Sequence, residues 1–157
     1  MVIPIYMKKE DHLDYFIKSA WHGLSRLYNQ KAQQYGTTTS VAYVLLNISS
    51  SEGTPATKIA PAIGLETRSL TRILKTLEEK GLIYRERDPD DGRSVRIFLT
   101  DRGKEDKARA VETVKAFNEY IRARIPEGKL KVFREVSGSI IDFVENDEEL
   151  KETLRKA

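Results

Sequence analysis

The chain contains no cysteine. Disulfides, thiolate zinc sites, iron–sulfur clusters and thiol-based redox sensing are therefore excluded, and nothing in the sequence calls for an oxidising compartment. No stretch approaches the roughly 18 apolar residues that a membrane span needs. The apolar start, Met1 to Met7, is too short for a signal core and runs into Lys8-Lys9-Glu10-Asp11 rather than a small-residue cleavage site, so a soluble protein of the cytoplasm is expected. Histidine is scarce. His12 and His22 lie ten residues apart on one expected helix, rotated by roughly 80° from each other, so they form no chelating pair. There is no phosphate-cradling glycine loop, no glycine-rich dinucleotide turn and no plausible Ser–His–acid cluster. An enzyme is not expected, and neither is a cofactor or a metal.

What is present is charge and helical periodicity. Of 157 residues, 39% are hydrophobic and 32% charged, yet the net charge is only +3. Overall charge therefore names no partner, and the local grouping of Lys and Arg has to be read instead. From Asp11 to about Tyr35, Leu13, Phe16, Ile17, Ala20, Trp21, Leu24, Leu27 and Tyr28 recur at steps of three and four, a helix stripe with Asp11 as its expected cap. Thr38-Thr39-Ser40 offers cap hydroxyls to Val41–Ile48, apolar nearly all round and so expected as a buried helix. Thr54-Pro55 reads as an N-cap followed by proline at the first helical position. The short helix it opens is expected to run to about Ile63, or to end at Ala60 if Pro61 stops it. Gly64 makes a turn, and a further amphipathic helix carries Leu70, Ile73, Leu74 and Leu77 on one face, with Gly81 as its stop.

The period then changes from helical to alternating. Leu82–Arg87 and Ser94–Leu99 read as a two-stranded hairpin around the charged tip Asp88-Pro89-Asp90-Asp91-Gly92-Arg93. Thr100 caps a long helix to about Ile125, which Pro126 breaks. A last helix follows with Leu130, Phe133, Val136, Ile140, Phe143 and Val144. Beyond it the tail, rich in acids, is expected to fray.

This order is a recipe for a winged helix-turn-helix. The helix from Thr67 must turn Leu70, Ile73, Leu74 and Leu77 to the core. Thr67, Arg68, Ser69, Thr71, Arg72 and Lys75 are left facing out, mostly in its first two turns. Those turns reach base edges when such a helix enters a major groove about 12 Å wide. Arg68 and Arg72, four apart, share a face. Arginine forks onto guanine, and hydroxyls suit bases or phosphates. The hairpin adds Arg85, Arg87, Arg93 and Arg96. An arginine on a thin loop suits the minor groove, and Asp91 is placed to brace Arg93. The bland alternative is a solvated basic helix face; the attached hairpin favours contact with duplex DNA. The long apolar stripes at both ends exceed what one small lobe can cover, so a self-complementary two-fold interface is expected.

The run Gly64-Leu65, Thr71-Arg72-Ile73-Leu74, Leu77 to Ile83, Arg87 to Ser94 and Leu99-Thr100-Asp101-Arg102-Gly103 resembles the MarR family of regulators over about residues 54–104. The Asp-x-Arg of the wing and the Leu-Thr-x-x-Gly that closes it are the most specific parts. The resemblance implies a mostly α homodimer of single MarR-like domains spanning 1–157. In it, 11–36 and 101–145 are dimerisation helices, and 39–100 is the winged helix-turn-helix lobe with its small β-hairpin wing. It implies binding to a pseudo-palindromic operator on double-stranded DNA, relieved by a small phenolic or aromatic effector. By motif, Ser69, Thr71 and Arg72 match groove-reading positions and Arg93 the wing-tip arginine. The sequence departs from the pattern at Glu66, where a short capping residue is usual, and Thr67 is expected to take over the cap. Trp21, Tyr15, Phe16, Tyr28 and Tyr43 read as core or interface, which leaves the effector site unassigned. Rival readings are a winged-helix protein-interaction module and a non-specific architectural DNA binder.

Overall fold

The computed structural model describes residues 12–89 and 94–156. The expected cap Asp11 and the wing-tip residues Asp91 and Arg93 lie outside the described residues. Two compact units are present, one ending at Thr113 and the other beginning at Val114. The fold is mostly α with one small antiparallel sheet. No helix among the described residues is long and apolar enough to cross a membrane.

In the first unit, α1 runs Leu13–Gln33, with His12 in the N-cap position and no side-chain cap bond there. The helix α2, Thr39–Leu46, starts as its hydroxyls dictate: Thr38 accepts from the Val41 amide at 3.3 Å. Asn29 of α1 accepts from the Thr39 hydroxyl at 2.7 Å and ties that first turn down. Val44 and Leu45 are buried, the other apolar residues of α2 are half-buried, and Ile48 just past its end is fully buried, so the helix is less enclosed than its sequence led one to expect.

Thr54-Pro55 departs from expectation. It is not the first turn of a helix but a two-residue strand, β1. The Thr54 hydroxyl accepts from the Ser49 amide at 2.9 Å and donates to the Asn47 carbonyl at 3.2 Å, so it closes the loop behind it. Proline survives here because β1 lies at the edge of the sheet, where its missing N–H breaks no ladder. Pro55 then serves as N-cap of α3, Ala56–Ala62. This helix runs through Pro61 to Ala62 with Ile63 as its C-cap, as the expected end near Ile63 has it; the alternative stop at Ala60 does not occur. In so short a helix the proline forfeits one bond, to the carbonyl of the exposed Thr57, which water can take.

After α4, Thr67–Glu79, come β2, Ile83–Arg87, and β3, Val95–Leu99. The expected hairpin is there, with Ile83 opposite Leu99 and Arg87 opposite Val95. The sheet gains β1 on the other side of β3, with Thr54 opposite Ile97. Its order is β1-β3-β2. The core lies where sheet and helices meet: Val44, Ile48, Ile59, Leu77 and Ile97 are fully buried. Burial of each such side chain contributes about 1.5–3 kcal/mol.

The Leu-Thr-x-x-Gly run has a visible cause. Thr100 donates its hydroxyl to the Gly81 carbonyl at 2.7 Å and accepts from the Gly103 amide at 3.1 Å. One side chain thus caps α5, Asp101–Arg122, and pins it to the end of α4. Gly103 must be glycine because a Cβ there would stand 1.9 Å from the Leu82 carbonyl oxygen.

Most of α5 belongs to the first unit, and its last turns to the second. In the second unit Pro126 caps α6, Glu127–Asn146. The tail does not simply fray: Asp147 accepts from the Leu150 amide at 3.0 Å and opens α7, Glu148–Lys156. Neither α6 nor α7 has a buried residue.

Candidate nucleic-acid interface

The exposed side of α4 is defined by what its other side must do. Leu70, Leu74 and Leu77 are buried at 3% exposure or less, which fixes the rotation of the helix about its axis. Its start is set by the turn before it. The Gly64 amide donates to the Pro61 carbonyl at 3.3 Å and the Leu65 amide to the Ala60 carbonyl at 3.1 Å, with Gly64 at φ 63°. This is the paired-bond stop that needs a left-handed residue, and it swings the chain from α3 into α4. Glu66 occupies the N-cap and its side chain makes no cap bond. Thr67 is already helical, so the expected transfer of the cap to Thr67 does not occur. The Ser69 and Leu70 amides bond back to the Glu66 carbonyl at 3.0 and 3.1 Å, so the turn is closed by backbone alone.

Thr67, Arg68, Thr71, Arg72 and Lys75 are exposed and Ser69 is half-buried. Among the described residues Arg68 and Arg72 have no ion-pair partner, so their guanidinium forks are free. Lys75 has a long contact with Glu79, 3.9 Å, between two solvated groups and therefore weak. Thr71 donates its hydroxyl to the Thr67 carbonyl at 2.9 Å. Its oxygen lone pairs remain available as acceptors.

Beside these residues lies an open groove of about 330 Å³, lined by Ser40, Val41, Ser69, Arg72, Ile73 and Thr76. Sequence reading missed the part played by Ser40 and Val41. The signal was the cap run Thr38-Thr39-Ser40, but only the packing of α2 against α4 brings it next to Ser69 and Arg72.

The wing cations separate into two kinds. Arg87 is exposed at the end of β2, with no partner among the described residues. Arg96 is held inward: its Nη2 lies 3.1 Å from a carboxylate oxygen of Asp88, which is 5% exposed, and its Nη1 donates to the Glu52 carbonyl at 3.3 Å. The Asp88 amide also donates to the Ser94 carbonyl at 3.0 Å, so this pair closes the root of the wing. Arg85 is likewise engaged, bonding Glu78 of α4 at 3.0 Å.

The aromatic residues divide as well. Tyr28 and Tyr43 meet edge to face, with centroids 6.5 Å apart. Burial pushes both phenol pKa values up, and for Tyr28 the neighbouring Tyr43 adds to this. Tyr15, Phe16 and Trp21 are exposed on α1. Among the described residues no group of three or more His, Asp or Glu is arranged to hold a metal ion.

The MarR family model matches residues 38–95, which span α2 to the start of β3. The HTH-type transcriptional regulator SarZ of Staphylococcus aureus is 30% identical over 116 residues, which cover 73% of this chain and 77% of that protein. Among solved structures, the PcaV transcriptional regulator from Streptomyces coelicolor, in complex with its natural ligand, aligns with a TM-score of 0.75 at 22% identity. That alignment covers 88% of this chain and 98% of PcaV. MepR of S. aureus, solved as a DNA complex, has the same TM-score at 20% identity, over 83% of this chain and 97% of MepR. With a winged lobe, a helix-turn-helix and a relative of this extent, the chain belongs to the MarR family of winged helix-turn-helix transcription regulators.

Proposed function

We propose that the chain acts as a homodimeric repressor that binds a pseudo-palindromic operator through α4 of each protomer. One observation carries this reading. The helix whose apolar side is locked into the core presents two unpaired arginines and three hydroxyl residues together on its outer side. Arg68 and Arg72 read base edges, Ser69 and Thr71 supply hydroxyls, and Thr67 and Lys75 flank them toward phosphates. Arg87 and Arg93 reach the adjacent minor groove, with Asp91 assigned to brace Arg93. Arg96, bonded to Asp88 and Glu52, acts on the posture of the wing rather than on DNA.

Dimerisation is supported by apolar side chains exposed in the single chain. On α1 these include Leu13 and Trp21; on α6, Phe133 and Val136. Two lobes on a shared base place half-sites roughly 34–36 Å apart. Binding in the cytoplasm then blocks transcription by occupancy. A small phenolic or aromatic effector that prefers the DNA-free arrangement relieves it. PcaV with its natural ligand and MepR with DNA lend support, each as a relative of the same fold.

Selection of bound duplexes from a random pool tests this reading. A two-fold symmetric motif should emerge, with affinity falling steeply as salt rises. Arg72→Ala should cost about 1–3 kcal/mol and relax preference at one base of each half-site. Uniform affinity for all sequences would mark an architectural binder. No affinity for duplex DNA would mark a protein-interaction module.

A further inference from the structure

The C-terminal end of α2 is closed by side chains rather than by more helix. Carbonyls at such an end have no partner within the helix and carry its negative pole. Asn47 Nδ2 donates to the Tyr43 carbonyl at 2.9 Å, and Thr54 Oγ1 donates to the Asn47 carbonyl at 3.2 Å. The next carbonyl, that of the fully buried Ile48, receives its bond from a distant element: Lys107 Nζ, on α5. Lys107 is half-buried, and loss of water there lowers its pKa. A lysine placed for solubility would extend its stem into water. This one turns its ammonium inward to a backbone oxygen.

The same loop is gripped a second time. Arg96 of β3 donates to the Glu52 carbonyl at 3.3 Å, while its other nitrogen holds Asp88 at the wing root. The segment from Asn47 to Thr54 thus has α5 bound at one end and the wing at the other. A further contact from α5 lies nearby in sequence: the Arg109 guanidinium stands 5.7 Å from the ring centroid of Tyr35, just beyond α1.

We propose that Lys107 is a positioning residue for operator binding, its bond to the Ile48 carbonyl holding the α2–β1 corner of the reading lobe on the first turns of α5. This rests on the dimeric, two-half-site reading above. A lobe that rocks on α5 still docks on one half-site. It loses affinity when both lobes must dock together, because the second docking depends on the first having fixed its position. Lys107 touches no DNA in this scheme.

The test compares wild type, Lys107→Met and Lys107→Arg on duplexes carrying two half-sites or one. Lys107→Met should weaken two-half-site binding about tenfold and leave one-half-site binding unchanged. Lys107→Arg, which can donate to the same carbonyl, should restore tight binding. Should Lys107→Met fail to fold, Lys107→Ala, which also lacks a donor, serves, with the same loss expected. Equal loss on both duplexes, or none on either, overturns the proposal, since a bond that only stabilises the fold affects both alike. A wild-type chain that does not prefer two half-sites to one would bring down the dimeric reading first, and this inference with it.

Discussion

The lobe from α2 to β3 and the helix α6 are equally rich in apolar side chains but use them in opposite ways. In the lobe, Val44, Ile48, Ile59, Leu77 and Ile97 have no exposed surface. On α6 no residue is buried, and Phe133 is 68% exposed. The lobe satisfies its own periodicity; α6 repeats apolar residues just as regularly but leaves most of them exposed. A periodic stripe therefore says that a face must be covered, not by what. The difference supports the proposed division of labour, in which the lobe that covers its own apolar face reads DNA and α6 pairs with a second copy.

This contrast can be broken from either side. The largest effect is expected in the lobe: Leu77→Ala should cost about 2–5 kcal/mol, read as a lower midpoint in urea, because Leu77 is fully buried and its loss leaves a cavity. A loss under about 1 kcal/mol would mean that the lobe is not the tightly packed body described. Next, Phe133→Asp with Val136→Asp should leave the lobe folded but weaken self-association by about a hundredfold or more, near 2.7 kcal/mol, measured by sedimentation across a concentration series. Unchanged association would remove α6 from the interface.

The smallest effect sharpens the picture at the start of α6. Glu127 bonds Arg134 at 2.6 Å and Arg122 at 3.1 Å. The hydrogen bond from Arg134 does most to hold its carboxyl below the ordinary carboxylate range, with the charges of Arg134 and Arg122 adding to it. A carboxylate with a depressed folded-state pKa stabilises above its unfolded value, and that gain is lost as pH falls through the folded one. Glu127→Gln should therefore lower Tm slightly at neutral pH, and the gap to wild type should close in acid. A gap that persists at low pH would show that packing, not charge, was lost. The carboxylate is exposed, so high salt should shrink the difference as well.

Much of this was legible in the sequence because the signals were local. Thr38 and Thr100 cap as their positions foretold, Gly64 and Gly81 end their helices, and Leu70, Leu74 and Leu77 specify which side of α4 is free. The misreadings came where a local signal met a long-range partner. Thr54-Pro55 has the composition of a helix start, yet β3 recruits it as an edge strand. Arg96 alternates outward on paper, but the buried Asp88 claims it. Ser40 gave no hint that it shares a groove with Arg72, since the two belong to helices whose packing no periodicity encodes.

The chain by itself determined the order of helices from α1 to α6, the caps at Thr38 and Thr100, the hairpin and the arginine-bearing outer side of α4. Each follows from propensity, periodicity or a hydroxyl at the right place, all of which act within a few residues. Tertiary structure alone decided which arginines stay free, that β1 joins the sheet, and that Lys107 reaches the Ile48 carbonyl across 59 positions. Those outcomes depend on which distant groups meet once the core closes, and burial then makes each unmet carbonyl or charge costly enough to select a partner.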